Sequence, residues 1–440
     1  MIEPVVGAVP PTWEYTTLGD ACARGGGGIQ TGPFGSQLHA SDYVPAGVPS
    51  IMPQNIGDNR VVENGIARIT PEDAKRLSRY LVRKGDIVCS RRGDVERRAL
   101  IGDREDGWLC GTGCLRVRLG DGGVDALYAS YFLGHPGVRE WIVRHAHGAT
   151  MANLNTSILA ACPFAVPPLD DQRTIAHILS SLDDKIELNR QMSETLEAMA
   201  RALFRSWFVD FDPVRAKLEG RDLVLPAEFA DLFPDAFEVS ELGEIPVGWR
   251  VLGLDETAQF LNGLALQKYP PQVDRSLPVI KIAQLRAGST GGADRASADL
   301  DPAYIVSDAD VLFSWSGSLE CLVWAGGDGA LNQHIFKVVS TRFPKWLTFF
   351  WIHEHLPEFR RIAAGKATTM GHIQRHHLVD ARVACPPPNM ISSVNGFIGP
   401  LFERAWRLRV ESRELVTVRD SLLPKLISGE LRVPDSEEAA

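Results

Sequence analysis

Residues 148–207 read GATMANLNTSILAACPFAVPPLDDQRTIAHILSSLDDKIELNRQMSETLEAMARALFRSW, and the second part of this stretch decides the architecture. Ile175, Leu179, Leu182, Ile186, Leu196, Ala200, Leu203 and Trp207 step by alternating fours and threes, with only Asn189 and Ser193 polar on the same line. A 3.5-residue spacing marks a helix that buries a narrow stripe against a partner helix.

The partner is a second copy of the same stretch. From Ala367 the chain reads ATTMGHIQRHHLVDARVACPPPNMISSVNGFIGPLFERAWRLRVESRELVTVRDSLLPKLISGEL. A shift of 219 positions lays Thr150-Met151 on Thr369-Met370, Leu159 on Leu378 and Pro167-Pro168 on Pro386-Pro387. The seam then falls on Val394, Ile398, Leu401, Ala405, Leu408, Ser412, Leu415, Arg419, Leu422 and Leu426. A repeat of this size outranks any local reading, so the chain is two copies of one unit.

Composition agrees. A chain of 440 residues divides into at least two domains with cores of their own, and its charged and apolar fractions are those of globular protein. No apolar run reaches the 18 or so residues of a membrane span, and the N-terminus lacks a signal peptide's apolar core. Seven scattered cysteines imply reduced thiols and a cytoplasmic protein. The net charge of −9 argues against a protein coated in nucleic acid but leaves room for a local basic surface.

Each unit reads as a mixed α/β (α+β) domain followed by a long helix. Pro11-Thr12-Trp13 opens the first and Pro246-Val247-Gly248-Trp249 the second. The run Gly25 to Gly28 lacks the lysine and Ser/Thr of a phosphate cradle and reads as a flexible loop. Strand-like stretches follow at 48–55 and 277–284, then at 84–93 and 308–317, where Asp, an apolar run and Ser-x-x-Gly mark a turn, a buried strand and a loop. Between the copies, 210–244 holds ten acidic residues against three basic ones and reads as a solvated acidic linker. The expected boundaries are domains at 1–170 and 245–388, helices at 171–209 and 389–432, and a fraying acidic tail at 433–440.

Catalytic chemistry is not apparent. Cys110 and Cys114 have no second pair at zinc-site spacing. His372, His376 and His377 sit at helical spacing, but the first copy has Asn153, Ser157 and Ile158 there. There is no Gly-x-Ser-x-Gly elbow and no His-Glu-x-x-His. Pro386-Pro387-Pro388-Asn389 reverses the order of an amino-methyltransferase motif and follows no cofactor glycine loop.

Binding chemistry is better represented. Between Lys75 and Arg104, ten Lys and Arg outnumber four Asp and Glu. Arg91, Arg92, Arg97 and Arg98 bracket Gly93 in an expected loop, where guanidinium forks suit phosphates or guanine edges. With Gln30, Gln54 and Asn55, these are the candidate DNA-binding residues of the first domain. The second domain's candidates are Gln267, Lys281, Gln284, Trp315, Ser316, Asn332, Gln333 and His334, although 332–334 equally fits a buried polar cluster. Because the two loops differ, the units should read different sequences.

The whole chain resembles the specificity subunits of type I restriction–modification systems. The resemblance rests on 13–20, 84–93, the Thr-Met to Pro-Pro segments, Asp171-Gln172-Arg173, Arg205-Ser206-Trp207-Phe208, Asp210-Phe211-Asp212-Pro213-Val214 and 426–431, found in two copies. It implies two target-recognition domains separated by two helices in an antiparallel coiled coil. It implies double-stranded DNA as ligand, with two modification (methyltransferase) subunits docked around the helices and restriction (translocase/endonuclease) subunits added. It further implies that S-adenosylmethionine, ATP and magnesium belong to those partners, with no cofactor in this chain. The sequence departs from the family pattern at 388–391, where the acidic-Gln-Arg helix start of the first copy is missing. A stand-alone methyltransferase and a plain coiled-coil scaffold are the competing classes. The first lacks a cofactor loop, and the second leaves the two large domains unexplained.

Overall fold

The structure is a computed structural model and describes residues 5–148, 152–222, 225–365 and 371–433. The Thr150-Met151 and Thr369-Met370 pairs and the acidic tail beyond Val433 lie outside the described residues. Two compact units form, and they do not follow the order of the chain. One is Met1–Asp184 with Val416–Ala440; the other is Lys185–Leu415. Each long helix contributes to both units, so the expected boundary inside the linker is replaced by one that cuts the helices.

In the first unit, Glu14–Thr17 pairs antiparallel with Pro163–Val166, tying the start of the domain to the root of the long helix. The main sheet runs Gly26–Thr31, Cys114–Gly120, Ile87–Ser90, Arg98–Leu100 and Asp58–Asn59. Ile87–Ser90 is buried at every position, as a continuous apolar run requires when both faces are covered. A smaller sheet joins Tyr43–Val44, Ala67–Ile69, Val48–Ile51 and Leu109–Cys110. The glycine run corrects the expected flexible loop: it is an edge strand. A Cβ on Gly25 or Gly27 would meet the Leu119 or Arg118 carbonyl oxygen at 2.0 or 1.9 Å, so the glycines permit the close pairing.

The second unit repeats this plan. Arg250–Gly253 pairs with Arg382–Cys385, and the main sheet runs Gln259–Asn262, Ile335–Val339, Val311–Ser314 and Cys321–Val323. The smaller sheet joins Arg295–Ser297, Ser276–Ile280, Gly329–Leu331 and Ile305–Val306.

The long helices are Leu169–Phe208 and Pro388–Ile427, 40 residues each and about 60 Å long at 1.5 Å per residue. In the first unit, Ile175, Ala176 and Leu179 share a core with Leu423, Leu426 and Ile427. In the second, Ala200, Phe204 and Trp207 share one with Val394, Ile398 and Phe402. Early residues of one helix meet late residues of the other, so the pairing is antiparallel in each unit. Along the predicted seam Leu408 is fully buried, while Leu182, Ile186, Leu196, Leu203, Leu401, Leu415 and Leu422 are half-buried. Asn189 and Ser193 are buried within it. Ser193 Oγ donates to the Ala405 carbonyl (2.8 Å) and accepts from Arg409 Nε (3.0 Å), and Arg409 also pairs with Glu197.

The linker is more than a solvated connector. It contains a helix at Asp212–Leu218 and a hairpin of Phe237–Ser240 with Gly243–Pro246. Phe211, Val214, Phe229 and Phe233 are buried, and the rings of Phe229 and Phe233 lie 5.6 Å from Trp207. Its acids face solvent while its aromatics clamp the end of the helix. Among the described residues no helix is long and apolar enough to cross a membrane. All seven cysteines are buried and unbridged, and burial pushes the Cys89 and Cys110 thiols up to about 12.

Candidate nucleic-acid interface

The two Ser-x-x-Gly loops are held by the same backbone bonds. In the first unit, Arg91 N–H donates to Gly113 O (2.8 Å), Leu154 N–H to Arg91 O (2.8 Å) and Gly93 N–H to Ala152 O (3.2 Å). In the second, Trp315 N–H donates to His334 O (3.2 Å), Ile373 N–H to Trp315 O (2.9 Å) and Gly317 N–H to Gly371 O (2.8 Å). Gly93 and Gly317 both take positive φ, 73° and 66°, which a side chain would resist. One frame thus presents position 91 beside 113 and 153, and its twin presents 315 beside 334 and 372. The residues in the frame differ completely: Arg91, Arg92, Thr112, Gly113 and Asn153 against Trp315, Ser316, Gln333, His334 and His372.

In the second unit the frame gathers five of the eight sequence candidates. Trp315 donates its indole N–H to Asn262 Oδ1 (2.8 Å) and the Gln333 carbonyl (3.0 Å), so the ring is a fixed platform. Ser316, buried, lies 3.0 Å from His334 Nδ1, and Gln333 Nε2 lies 3.3 Å from His334 Nε2. Asn332 is buried with its Oδ1 accepting from His334 N–H (3.2 Å), so it fixes the turn rather than facing solvent. Gln267 is exposed on a short turn. Lys281 pairs with Asp294, and Gln284 accepts from Lys281 N–H (3.4 Å) at a helix start. Ile282, next to Lys281, approaches Gly317, which brings that helix start to the loop.

The first unit divides its candidates. Arg92 is exposed, and Gln54 is exposed on the turn at Pro53–Asn55. Arg91 Nε is buried with no hydrogen-bond partner among the described residues, and so is Asn153 Oδ1. Both stand in the frame, at the positions taken by Trp315 and His372 in the second unit. Arg97 is half-exposed and pairs with Asp94 at 2.6 Å.

Three further candidates are engaged internally. Asn55 is fully buried; its Oδ1 accepts from Met52 N–H (3.2 Å), and its Nδ2 donates to Val62 O (3.0 Å) and Asn64 O (3.4 Å). Arg98 is buried, with Nε donating to Ser130 O and Nη1 3.8 Å from Asp58. Gln30 accepts from Arg116, itself buried and bonded to the Arg79 and Leu81 carbonyls at 3.0 Å. Sequence reasoning missed Asn153, His372 and Asn262. The bridges Arg92–Asn153 and Ser316–His372 join residues far apart in sequence, and only the repeat shift, which already aligned 153 with 372, hinted at them.

The helix roots also diverge, and the cause is local. Gln172 is fully buried and staples the first root: it accepts from Asp125 N–H (2.8 Å) and donates to Gly123 O (3.1 Å) and Pro167 O (2.8 Å). In the second unit Ile391 takes its place and Pro344 caps the following helix where Asp125 does in the first. Proline has no N–H, so donor and acceptor have been lost together. A cleft of about 520 Å³ lies there, lined by Arg342, Pro344, Pro388, Ile391 and Asn395 among others. The missing acidic-Gln-Arg start is therefore a matched change in packing. Among the described residues no group of three or more His, Cys, Asp or Glu is placed to hold a metal ion; His376 and His377 lie with ring centres 3.9 Å apart and planes tilted by 49°.

Residues 10–198 match the family described as type I restriction modification DNA specificity domain. The chain is 23% identical to the type I restriction enzyme MjaIX specificity subunit of Methanocaldococcus jannaschii, over 98% of this chain and 96% of that protein. It is likewise 23% identical to the HindI specificity subunit of Haemophilus influenzae, over 87% and 95%. Its fold is like that of a type I S subunit from M. genitalium, with a TM-score of 0.53 at 14% identity over 98% and 97% of the two chains. Residues 10–198 thus match a type I specificity domain, the same unit recurs in the sequence from Ile245 onward, and over nearly its whole length the chain is similar to specificity subunits of type I restriction enzymes.

Proposed function

We propose that this chain supplies DNA sequence specificity to a type I restriction–modification complex, each domain reading one half of a bipartite, asymmetric site. The observation that carries the reading is the shared loop frame with unlike contents. Guanidinium groups at 91 and 92 suit guanine or phosphate; an amide and an imidazole beside an indole suit other edges. Two readers on one duplex give two half-sites, as in dimeric DNA-binding proteins, and unlike readers make the halves unlike. The 40-residue helices are the rigid elements that set the gap.

Two modification subunits dock around the helices in this reading, and restriction subunits join them. Leu188, Met192 and Met199 support such docking, because they expose an apolar stripe on the central helix, one position off the buried seam. The chain itself is non-catalytic; S-adenosylmethionine, ATP and magnesium are held by the partners, and the complex works in the cytoplasm. The test is co-expression with the modification subunit, followed by sequencing of host DNA for methylated adenine. A two-part motif with a fixed gap is expected. A short continuous motif would overturn the two-reader scheme.

A further inference from the structure

We infer that Gln333 reads an adenine in the half-site of the second domain, and that His334 and Ser316 are positioning residues that set its amide. The inference rests on the specificity role proposed above and assigns one base to one side chain.

Gln333 Nε2 faces His334 Nε2 at 3.3 Å, and His334 Nδ1 faces Ser316 Oγ at 3.0 Å. An amide nitrogen can only donate, so His334 Nε2 accepts and the neutral ring carries its proton on Nδ1, which donates to Ser316. The serine is buried, and its loop is fixed by the Gly317–Gly371 bond, so the chain of bonds starts from a rigid point. Asn332 holds the backbone N–H of His334 from the other side. With one N–H engaged by the imidazole, the Gln333 amide keeps its oxygen and its second N–H. That acceptor–donor pair matches the N6 amino group and N7 of adenine in the major groove, and no other base offers the match.

The neighbours do not compete for this role. Trp315 has its indole N–H bonded to Asn262 and to the Gln333 carbonyl, which leaves it an apolar wall. The first unit has Thr112 and Gly113 in the place of Gln333 and His334, and Thr112 Oγ donates to Pro33 O at 3.0 Å. The amide reader therefore belongs to one half-site alone.

The experiment uses the full chain in complex with its modification subunits and a randomised duplex library, sequenced after binding. For the wild-type chain a bipartite motif is expected, with an A·T pair at one position of the second half. Gln333→Ala should lower discrimination at that position about tenfold and leave the others unchanged. His334→Phe keeps a ring but loses both nitrogens, and should relax the same position. His334→Gln can place an acceptor near the lost Nε2 and should restore most of it. A purely structural role would weaken all positions evenly in His334→Phe and would not be rescued. Gln333→Ala leaving every position intact, or relaxing a G·C position, overturns the adenine assignment while the specificity role stands. A wild-type complex that selects no motif overturns both.

Discussion

Gln172 makes three hydrogen bonds to backbone groups that no other side chain among the described residues satisfies at the helix root. Gln172→Leu keeps the bulk and strands those groups, so the first unit should lose about 3 kcal/mol in urea unfolding. Ile391→Gln in the second unit should gain nothing, because Pro344 offers no N–H; a gain would contradict the matched-change account. His135 tests a titration. It caps a helix by accepting from Gly137 N–H, and burial pushes its pKa from 6.5 down to about 4. Above about pH 6.5 the ring is neutral folded or unfolded and costs nothing. Between about 6.5 and 4 the unfolded chain takes the proton first, so stability falls as the pH falls. His135→Asn retains a cap without titrating. Its stability should exceed that of the wild type by roughly 3 kcal/mol more at pH 4 than at pH 7; parallel stability–pH curves would remove His135 from the account. At this scale the sequence was half legible. Amides and guanidinium groups were picked out as candidates for contacting DNA, but residue type does not say whether the partner is backbone or solvent. Gln54 and Arg92 emerged at the surface, while Asn55, Arg98 and Gln30 were drawn inside by carbonyls and N–H groups distant in sequence.

The long helix was the most legible element, because its seam repeats over many turns and local exceptions average out. Its bounds moved only from 171–209 to Leu169–Phe208. The polar break at Asn189 and Ser193 was visible in the spacing, and burial gives it a meaning. A buried polar pair costs stability and fixes alignment, since a slipped helix would face it with leucine. Asn189→Leu should therefore raise the unfolding midpoint by the equivalent of about 1 kcal/mol and broaden the distribution of gap lengths in the DNA selected by the complex. A higher midpoint with an unchanged single gap would assign the register to other contacts. The linker was the least legible element. Its ten acids dominate any composition window, while Phe211, Phe229 and Phe233 sit at irregular spacing and reveal their burial only in the fold, Phe229 and Phe233 against Trp207 and Phe211 against Trp249.

On the scale of the molecule, the chain order hides how the units are built. The repeat divides the sequence into two consecutive halves, yet the first compact unit needs Val416–Ala440 from the far end. Leu423, Leu426 and Ile427 lie in the same core as Ile175 and Leu179, and Gly429 approaches Pro10 and Trp13. An isolated fragment of residues 1–209 would lack those aliphatic side chains and expose the seam. A second copy of the fragment could offer its own helix instead, but the repeat shift puts Phe204, Trp207 and Phe208 where Leu423, Leu426 and Ile427 belong. Three aromatic groups in slots shaped for Leu and Ile overpack a core that closes tightly. The fragment should therefore be a destabilised monomer, weaker than the first unit of the whole chain by about 5 kcal/mol for three unburied aliphatic residues. Co-expressing residues 386–440 should restore it as a one-to-one complex. Light scattering and urea unfolding of the purified species decide the matter. A stable symmetric dimer of the fragment would mean that the slots adapt to aromatics and that each half of the chain is self-sufficient.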